Sequence, residues 1–173
     1  AAVRCGADVQ PYFVSSAFQP RFELEDARHL ADQLGVELKL LPVDVLAAPE
    51  IAVNPPERCY HCKKMMFSAL ATAARKDGYA LLLDGTNASD AEEDRPGMQA
   101  LRELEVRSPL RECGLQKDEI RRLSREAGLF TWDKPAYACL ATRVPAGTAL
   151  TAQLLERTEA AEDFLFSLGL TDF

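Results

Sequence analysis

No stretch of this sequence approaches the roughly 20 uninterrupted apolar residues that a membrane-spanning helix needs, and its first residues lack the basic-then-apolar order of a secretory signal. The chain is therefore expected in the cytoplasm. Basic residues are also in short supply, 20 against 27 acidic ones for a net charge of −7, so the surface should repel polyanions. Neither nucleic acid nor a membrane is expected as a partner. Histidine is nearly absent: His29 and His61 are the only two, and no second C-x-x-C pair accompanies the one present. A four-ligand zinc site is thus under-supplied from within the chain. There is neither an internal repeat nor a low-complexity segment.

What is present is the composition of a folded protein, 173 residues with 47% hydrophobic and 27% charged, enough for one buried core. Residues 9–15 read as a short strand, with Pro11 favouring an edge or a strand start. Residues 23–34 carry apolar or small side chains at Leu24, Ala27, Leu30, Ala31 and Leu34, the helical period, and Gly35 supplies a stop. Residues 36–43 alternate and then turn wholly apolar, as a strand does on entering a sheet. A helix at about 63–76 precedes a compact apolar run at 79–84, and further helices are expected at 98–105, 117–127 and 151–168. Strands alternating with helices imply an α/β fold with a parallel sheet and helices on both faces.

Ligands of such sheets bind beyond the carboxyl ends of the strands, which singles out Asp84-Gly85-Thr86-Asn87-Ala88-Ser89-Asp90. Gly85 permits close backbone approach, Thr86 and Asn87 offer hydrogen bonds, and Asp90 could meet magnesium or a ribose, although as a bare pattern this is only a good turn. Arg95 could clamp a phosphate or carboxylate, or form a surface ion pair. Asp90 to Asp94 is either a solvated face or a metal site.

Five cysteines without a secretory signal read as thiols, ligands or nucleophiles. Cys59-Tyr60-His61-Cys62 lies just ahead of the predicted 63–76 helix, whose N-terminus would favour thiolate, and can hold a metal or cycle as a dithiol. Cys139 sits in a loop of small residues with Arg143 four positions on, a cation able to favour its thiolate or to pair with an ordinary carboxylate. Three cysteines suit an iron–sulfur cluster with one open iron better than they suit zinc. Cys5 and Cys113 are expected to be small buried hydrophobes. Lys63 and Lys64 are read first as a solvated helix face, and Trp132 as core.

Five segments together resemble the ATP-dependent sacrificial sulfur transferase (LarE) family of the PP-loop ATP pyrophosphatases. They are Asn54-Pro-Pro-Glu-Arg-Cys-Tyr-His-Cys-Lys-Lys64, Asp84-Gly-Thr-Asn-Ala-Ser-Asp90, Arg95-Pro-Gly97, Arg107-Ser-Pro-Leu110 and Trp132-Asp-Lys-Pro-Ala-Tyr-Ala-Cys-Leu-Ala-Thr-Arg143. The resemblance runs from about Val9 to Leu170 and implies a Rossmann-like adenine nucleotide α-hydrolase fold. It implies adenylylation of a pyridinium dicarboxylate mononucleotide by ATP and Mg2+, then replacement of carboxylate oxygen by sulfur for a nickel-pincer cofactor. Members with all three cysteines are thought to hold a [4Fe-4S] cluster through the positions matching Cys59, Cys62 and Cys139. In members with one active cysteine, the residue matching Cys139 surrenders its own sulfur.

The resemblance places Cys139 and Arg143 in catalysis, Gly85, Thr86, Asn87, Asp90 and Arg95 in cofactor binding, and a small nucleotide substrate as partner; further copies of the chain are a separate expectation. The family's Ser-Gly-Gly-Val-Asp-Ser phosphate loop is not present, the chain opens on Ala1, and its close at Phe173 follows directly on a helical pattern. The expectation is a central part of a longer enzyme: residues 1–145 as a PP-loop domain without its phosphate loop, and 146–173 as the start of a second domain. Two rival readings are a cluster-dependent tRNA thiolase of the same superfamily and a non-catalytic zinc-binding module on Cys59 and Cys62.

Overall fold

The computed structural model describes residues 2–90 and 96–170. Helix dominates. The elements in order are β1 (Tyr12–Ser15), α1 (Arg21–Leu34), β2 (Lys39–Pro42), α2 (Pro49–Ala52), α3 (Arg58–Lys76), α4 (Pro96–Glu103), α5 (Pro109–Glu112), α6 (Lys117–Glu126) and α7 (Ala152–Ser167), with short 3-10 turns between several of them.

β1 and β2 pair in parallel, Tyr12 opposite Lys39 and Ser15 opposite Pro42, with α1 as the crossover. Such a unit needs a helix long enough to return the chain, and Gly35 ends it in the left-handed region at φ 65°, its N–H bonding back to Ala31 and Asp32. The other end of α1 is held from far away: the Arg21 N–H donates to Glu159 of α7 at 2.7 Å. A carboxylate there meets both an orphan donor and the positive end of the helix dipole.

The run at 79–84 behaves differently from the buried strand expected. It forms one parallel bridge, Leu83 to Arg107, in which Arg107 N–H donates to Leu82 and Asp84 N–H to Arg107, both at 3.0 Å. Leu81 and Leu83 are 58% and 43% exposed, because their outer edge faces a hollow of about 560 Å3 that lies between this run and β1. Among the described residues the parallel sheet therefore amounts to two strands, with the Leu83–Arg107 bridge isolated from it, in a helix-rich α/β arrangement.

The second difference lies at the start of α3. The helix begins at Arg58, five residues ahead of the expected start, so Cys59 and Cys62 are helical residues in its opening turns. The turn that launches it is set by Asn54, at φ 54°, followed by Pro55 and Pro56; Pro55 accepts from the Arg58 N–H at 2.9 Å. Asn54 is only 2% exposed and its side-chain amide donates to Val144 at 3.3 Å and Pro145 at 2.9 Å. Its own carbonyl accepts from Gly147 at 2.7 Å, while Leu150 N–H donates to Ala52 at 2.7 Å. Two segments some 90 positions apart are thereby stitched together.

The main core joins Phe18, Val43, Val45, Ile51, Cys62, Leu140, Ala141, Val144, Leu150 and Leu155. Leu150 and Leu155 come from the stretch expected to begin a second domain. Phe18, just past β1, is 1% exposed, and its carbonyl takes the Leu140 N–H at 3.0 Å, fixing the peptide next to Cys139. α4 packs along α3 closely enough that a Cβ on Gly97 would stand 2.9 Å from Cδ of Lys63, which accounts for the glycine of the Arg95-Pro-Gly97 segment. Among the described residues no helix is long and apolar enough to cross a membrane.

Candidate active site

Helical spacing puts Cys59 and Cys62, three positions apart, on one side of α3. Cys62 points into the core at 7% exposure, whereas Cys59 remains exposed. Cys139 arrives from the other segment as the residue before a 3-10 turn spanning Leu140–Arg143, with its carbonyl accepting from Thr142. Between the two segments lies Arg58, 8% exposed, whose guanidinium approaches Cys139 Sγ and Cys59 Sγ at 3.8 Å each and sits 5.7 Å from the centre of the Phe18 ring. Cys59 and Cys139 thus meet on one buried cation, while Cys62 lies in the adjoining core against which Cys139 packs.

The thiolate expected of the C-x-x-C pair is not what this geometry favours at Cys62. Burial pushes its thiol up to about 12, with the neighbouring Cys139 adding to the rise and Arg58 opposing it. The helix dipole acts within the first turn, and Cys62 lies beyond it in an apolar setting. Cys5 and Cys113, expected in the interior, are both exposed: one lies in a 3-10 turn near the chain start, the other directly after the four-residue helix α5.

Arg143 turns away from the thiols toward α7. Its Nε donates to Glu162 at 2.6 Å, the Tyr137 hydroxyl donates to the other oxygen of Glu162, and the guanidinium lies 5.7 Å from the Tyr137 ring. Glu162 is buried and Arg143 one third exposed, so this is a shielded pair. Burial, then the bond to Glu162, raises the Tyr137 phenol above its ordinary range. Arg143 and Arg157 together border a surface hollow of about 360 Å3.

The Asp84 to Asp90 loop is organised by its own side chains. Asp84 accepts from the Thr86 N–H at 3.2 Å, from the Thr86 hydroxyl at 2.5 Å and from Ser108 at 2.6 Å. Asp90 accepts from the Asn87 N–H at 3.0 Å, and Asn87 from the Ser89 N–H at 2.9 Å. Gly85 is exposed, and a Cβ there would meet no atom within 4 Å, so open space adjoins the loop. The bonds of the loop run to Arg107, Ser108, Arg111, Leu115 and Lys117 rather than to the cysteines. Arg95 and Asp94 lie outside the described residues.

Lys64 is engaged on the helix surface, donating to Tyr60 at 2.8 Å and Glu103 at 2.9 Å. Trp132 is half-buried with Arg125 over its ring at 4.8 Å. Arg58, Tyr137 and Glu162 are the residues that motif reading passed over. Arg58 lies inside a quoted segment and its position next to Cys59 was a usable signal; Glu162, in an amphipathic helix without a motif, gave none.

For the cluster that the family resemblance implies, the chemistry of the donors fits: three thiols, soft ligands, from two segments that meet at the core. Among the described residues no group of three His, Cys, Asp or Glu is arranged to hold a single metal ion.

No family model matches the chain. It is 40% identical over 156 residues to an uncharacterised protein of Synechocystis sp., covering 90% of this chain and 58% of that protein. It is 37% identical over 147 residues to the pyridinium-3,5-bisthiocarboxylic acid mononucleotide synthase of Lactiplantibacillus plantarum, covering 85% and 53%. An uncharacterised protein of Methanocaldococcus jannaschii is 32% identical over 153 residues, covering 88% and 58%. The chain therefore spans between half and three fifths of the length of these curated relatives. Over that span the chain is similar in sequence to the synthase.

Proposed function

We propose that this chain forms the central part of a cytoplasmic sulfur transferase acting on a pyridinium dicarboxylate mononucleotide, on the way to a nickel-pincer cofactor. The observation that carries the reading is the meeting of Cys59 and Cys139 on one guanidinium, 81 positions from Arg58 to Cys139 in sequence. Its likeness to a protein named as a bisthiocarboxylic acid mononucleotide synthase points the same way.

In this reading the substrate carboxylate attacks the α-phosphorus of ATP and expels pyrophosphate, giving an acyl adenylate. A sulfur nucleophile then adds to the acyl carbon; the C–S bond forms, the C–O bond to AMP breaks, and a thiocarboxylate remains. Gly85, Thr86 and Asn87 of the Asp84 to Asp90 loop would bind ATP, and Asp90 or Asp94 would help place Mg2+, a role that the open space beside Gly85 supports. Arg143, beside Arg157 on an open hollow, and Arg95 would take phosphate or carboxylate groups. Cys59, Cys62 and Cys139 would hold a [4Fe-4S] cluster whose open iron supplies a bound sulfide. Arg58 keeps a positive charge beside the sulfur that reacts.

The test is to purify the intact protein without oxygen and measure iron, sulfide and zinc per chain, for wild type and Cys139→Ala. About four irons with a broad visible charge-transfer band, lost or weakened in the variant, are expected. Zinc alone, indifferent to Cys139, overturns the reading.

A further inference from the structure

An open strand edge presents a row of N–H and C=O groups that call for partners, and parallel sheets are ordinarily covered. Two such edges border the hollow of about 560 Å3. On one side stands β1. Its odd positions face β2, with Pro11 accepting from Lys39 at 3.0 Å and Ser15 from Val43 at 2.9 Å, so the backbone groups of Tyr12 and Val14 point the other way. On the opposite side the 79–84 run directs its even positions, Leu82 and Asp84, to Arg107. The backbone groups of Leu81 and Leu83 point away from that bridge, and among the described residues no backbone bond reaches them. Phe67, Leu70 and Ala74, on one side of α3, complete an apolar lining.

The turn ahead of β1 indicates the occupant. The Ala7 N–H donates to Ala2 at 3.2 Å, the Gly6 N–H donates to Val3 at 3.0 Å, and Gly6 lies in the left-handed region at φ 77°. This bond pair closes a helix, and Ala2 already has helical φ and ψ of −53° and −47°. The same pair ends α1, where Val36 donates to Ala31 and Gly35 to Asp32, and there the helix is the crossover from one parallel strand to the next. A helical turn ending at Gly6 thus stands to β1 as α1 stands to β2.

We propose that the hollow is the seat of a further strand, lying upstream of Ala1 in the intact protein, parallel to β1 and joined to it by the helix that ends at Gly6. Strands linked by such a crossover commonly lie side by side, and β2 already takes one edge of β1, which leaves the edge on the hollow. The inserted strand pairs with β1 on one side and with Leu81 and Leu83 on the other. It is an apolar run, because it lies against Phe67 and Leu70. The curated relatives are matched over only 53–58% of their length, so proteins of this kind have chain to supply it. The proposal goes beyond the sulfur-transferase reading and does not depend on it.

The experiment uses the intact protein, with amide hydrogen exchange read at single residues and at two protein concentrations. Tyr12, Val14, Leu81 and Leu83 should exchange about a hundredfold or more slowly than an unstructured peptide, in step with the amides of β2. In a second arm p-benzoylphenylalanine replaces Leu83, and the peptide captured on irradiation is identified by mass spectrometry. An apolar segment upstream of Ala1 in the same chain is expected. Free exchange at Leu81 and Leu83 while β2 stays protected overturns the proposal, and so does protection that disappears on dilution, which marks a second copy as the occupant. Capture of a segment beyond Phe173, of another copy, or of residues 2–170 alone overturns it as well.

Discussion

Among single residues, Arg58, Asn54 and Glu162 do more than their place in the sequence suggests. Glu162 is the shared acceptor for Tyr137 and Arg143, and removing it leaves a partly buried cation and a phenol without their partner. We expect Glu162→Ala to lower unfolding stability by about 2 kcal/mol, below the usual range for a fully buried pair because Arg143 is one third exposed. Urea titration would read this; a change inside about 0.5 kcal/mol would reduce the pair to surface decoration. Arg143 carries a separate, functional prediction. If it also holds substrate, Arg143→Ala should raise KM for the mononucleotide or for ATP about tenfold, the value of one lost contact of about 1.4 kcal/mol. Unchanged KM for both substrates would confine Arg143 to its structural bond.

At the level of elements, the pairing of α3 with α4 is the clearest case of electrostatics sharpening a packed contact. Glu103 accepts from Lys64, Tyr60 and Gln99, and those bonds, led by that from Lys64, hold its carboxyl down to about 2. A carboxyl lowered in the folded state binds its proton less readily there than in the unfolded chain. Its contribution is therefore complete above the ordinary value of 4.5 and disappears as pH falls from there toward 2. Melting followed between pH 6 and pH 2 should show Glu103→Gln losing less than wild type over that interval, with the difference shrinking in high salt since the groups are exposed. Parallel acid limbs would mean the network adds nothing to the fold. The same elements illustrate a limit of local reading. Gly35 and the helical period located α1, but its start is fixed by Glu159, and the early start of α3 by the Asn54 turn, and neither partner belongs to the local pattern.

For the whole molecule, the deciding feature is that the stretch around 139–150 folds back over the α2–α3 connection, with Asn54 as the clasp. Asn54→Ala would strand two carbonyls at a buried position and force a non-glycine, non-asparagine residue to φ 54°; a loss of about 2–3 kcal/mol is expected. Asn54→Gly, which tolerates the backbone, should lose less, and equal losses would remove the conformational half of the argument. The sequence by itself determined the α/β alternation, most of the helices, and the grouping of Cys59, Cys62 and Cys139 as a likeness to one family, since periodicity, glycine stops and motif order are local or linear properties. It did not determine that Leu81 and Leu83 stand half open, because an apolar run carries no record of which neighbour covers it. Only the tertiary structure decided that Cys62 is held as a buried thiol, that Arg143 answers to Glu162, and that a buried guanidinium touches both Cys59 and Cys139. Burial and charge matching depend on groups brought together from distant points of the chain, and no window along the sequence contains both partners.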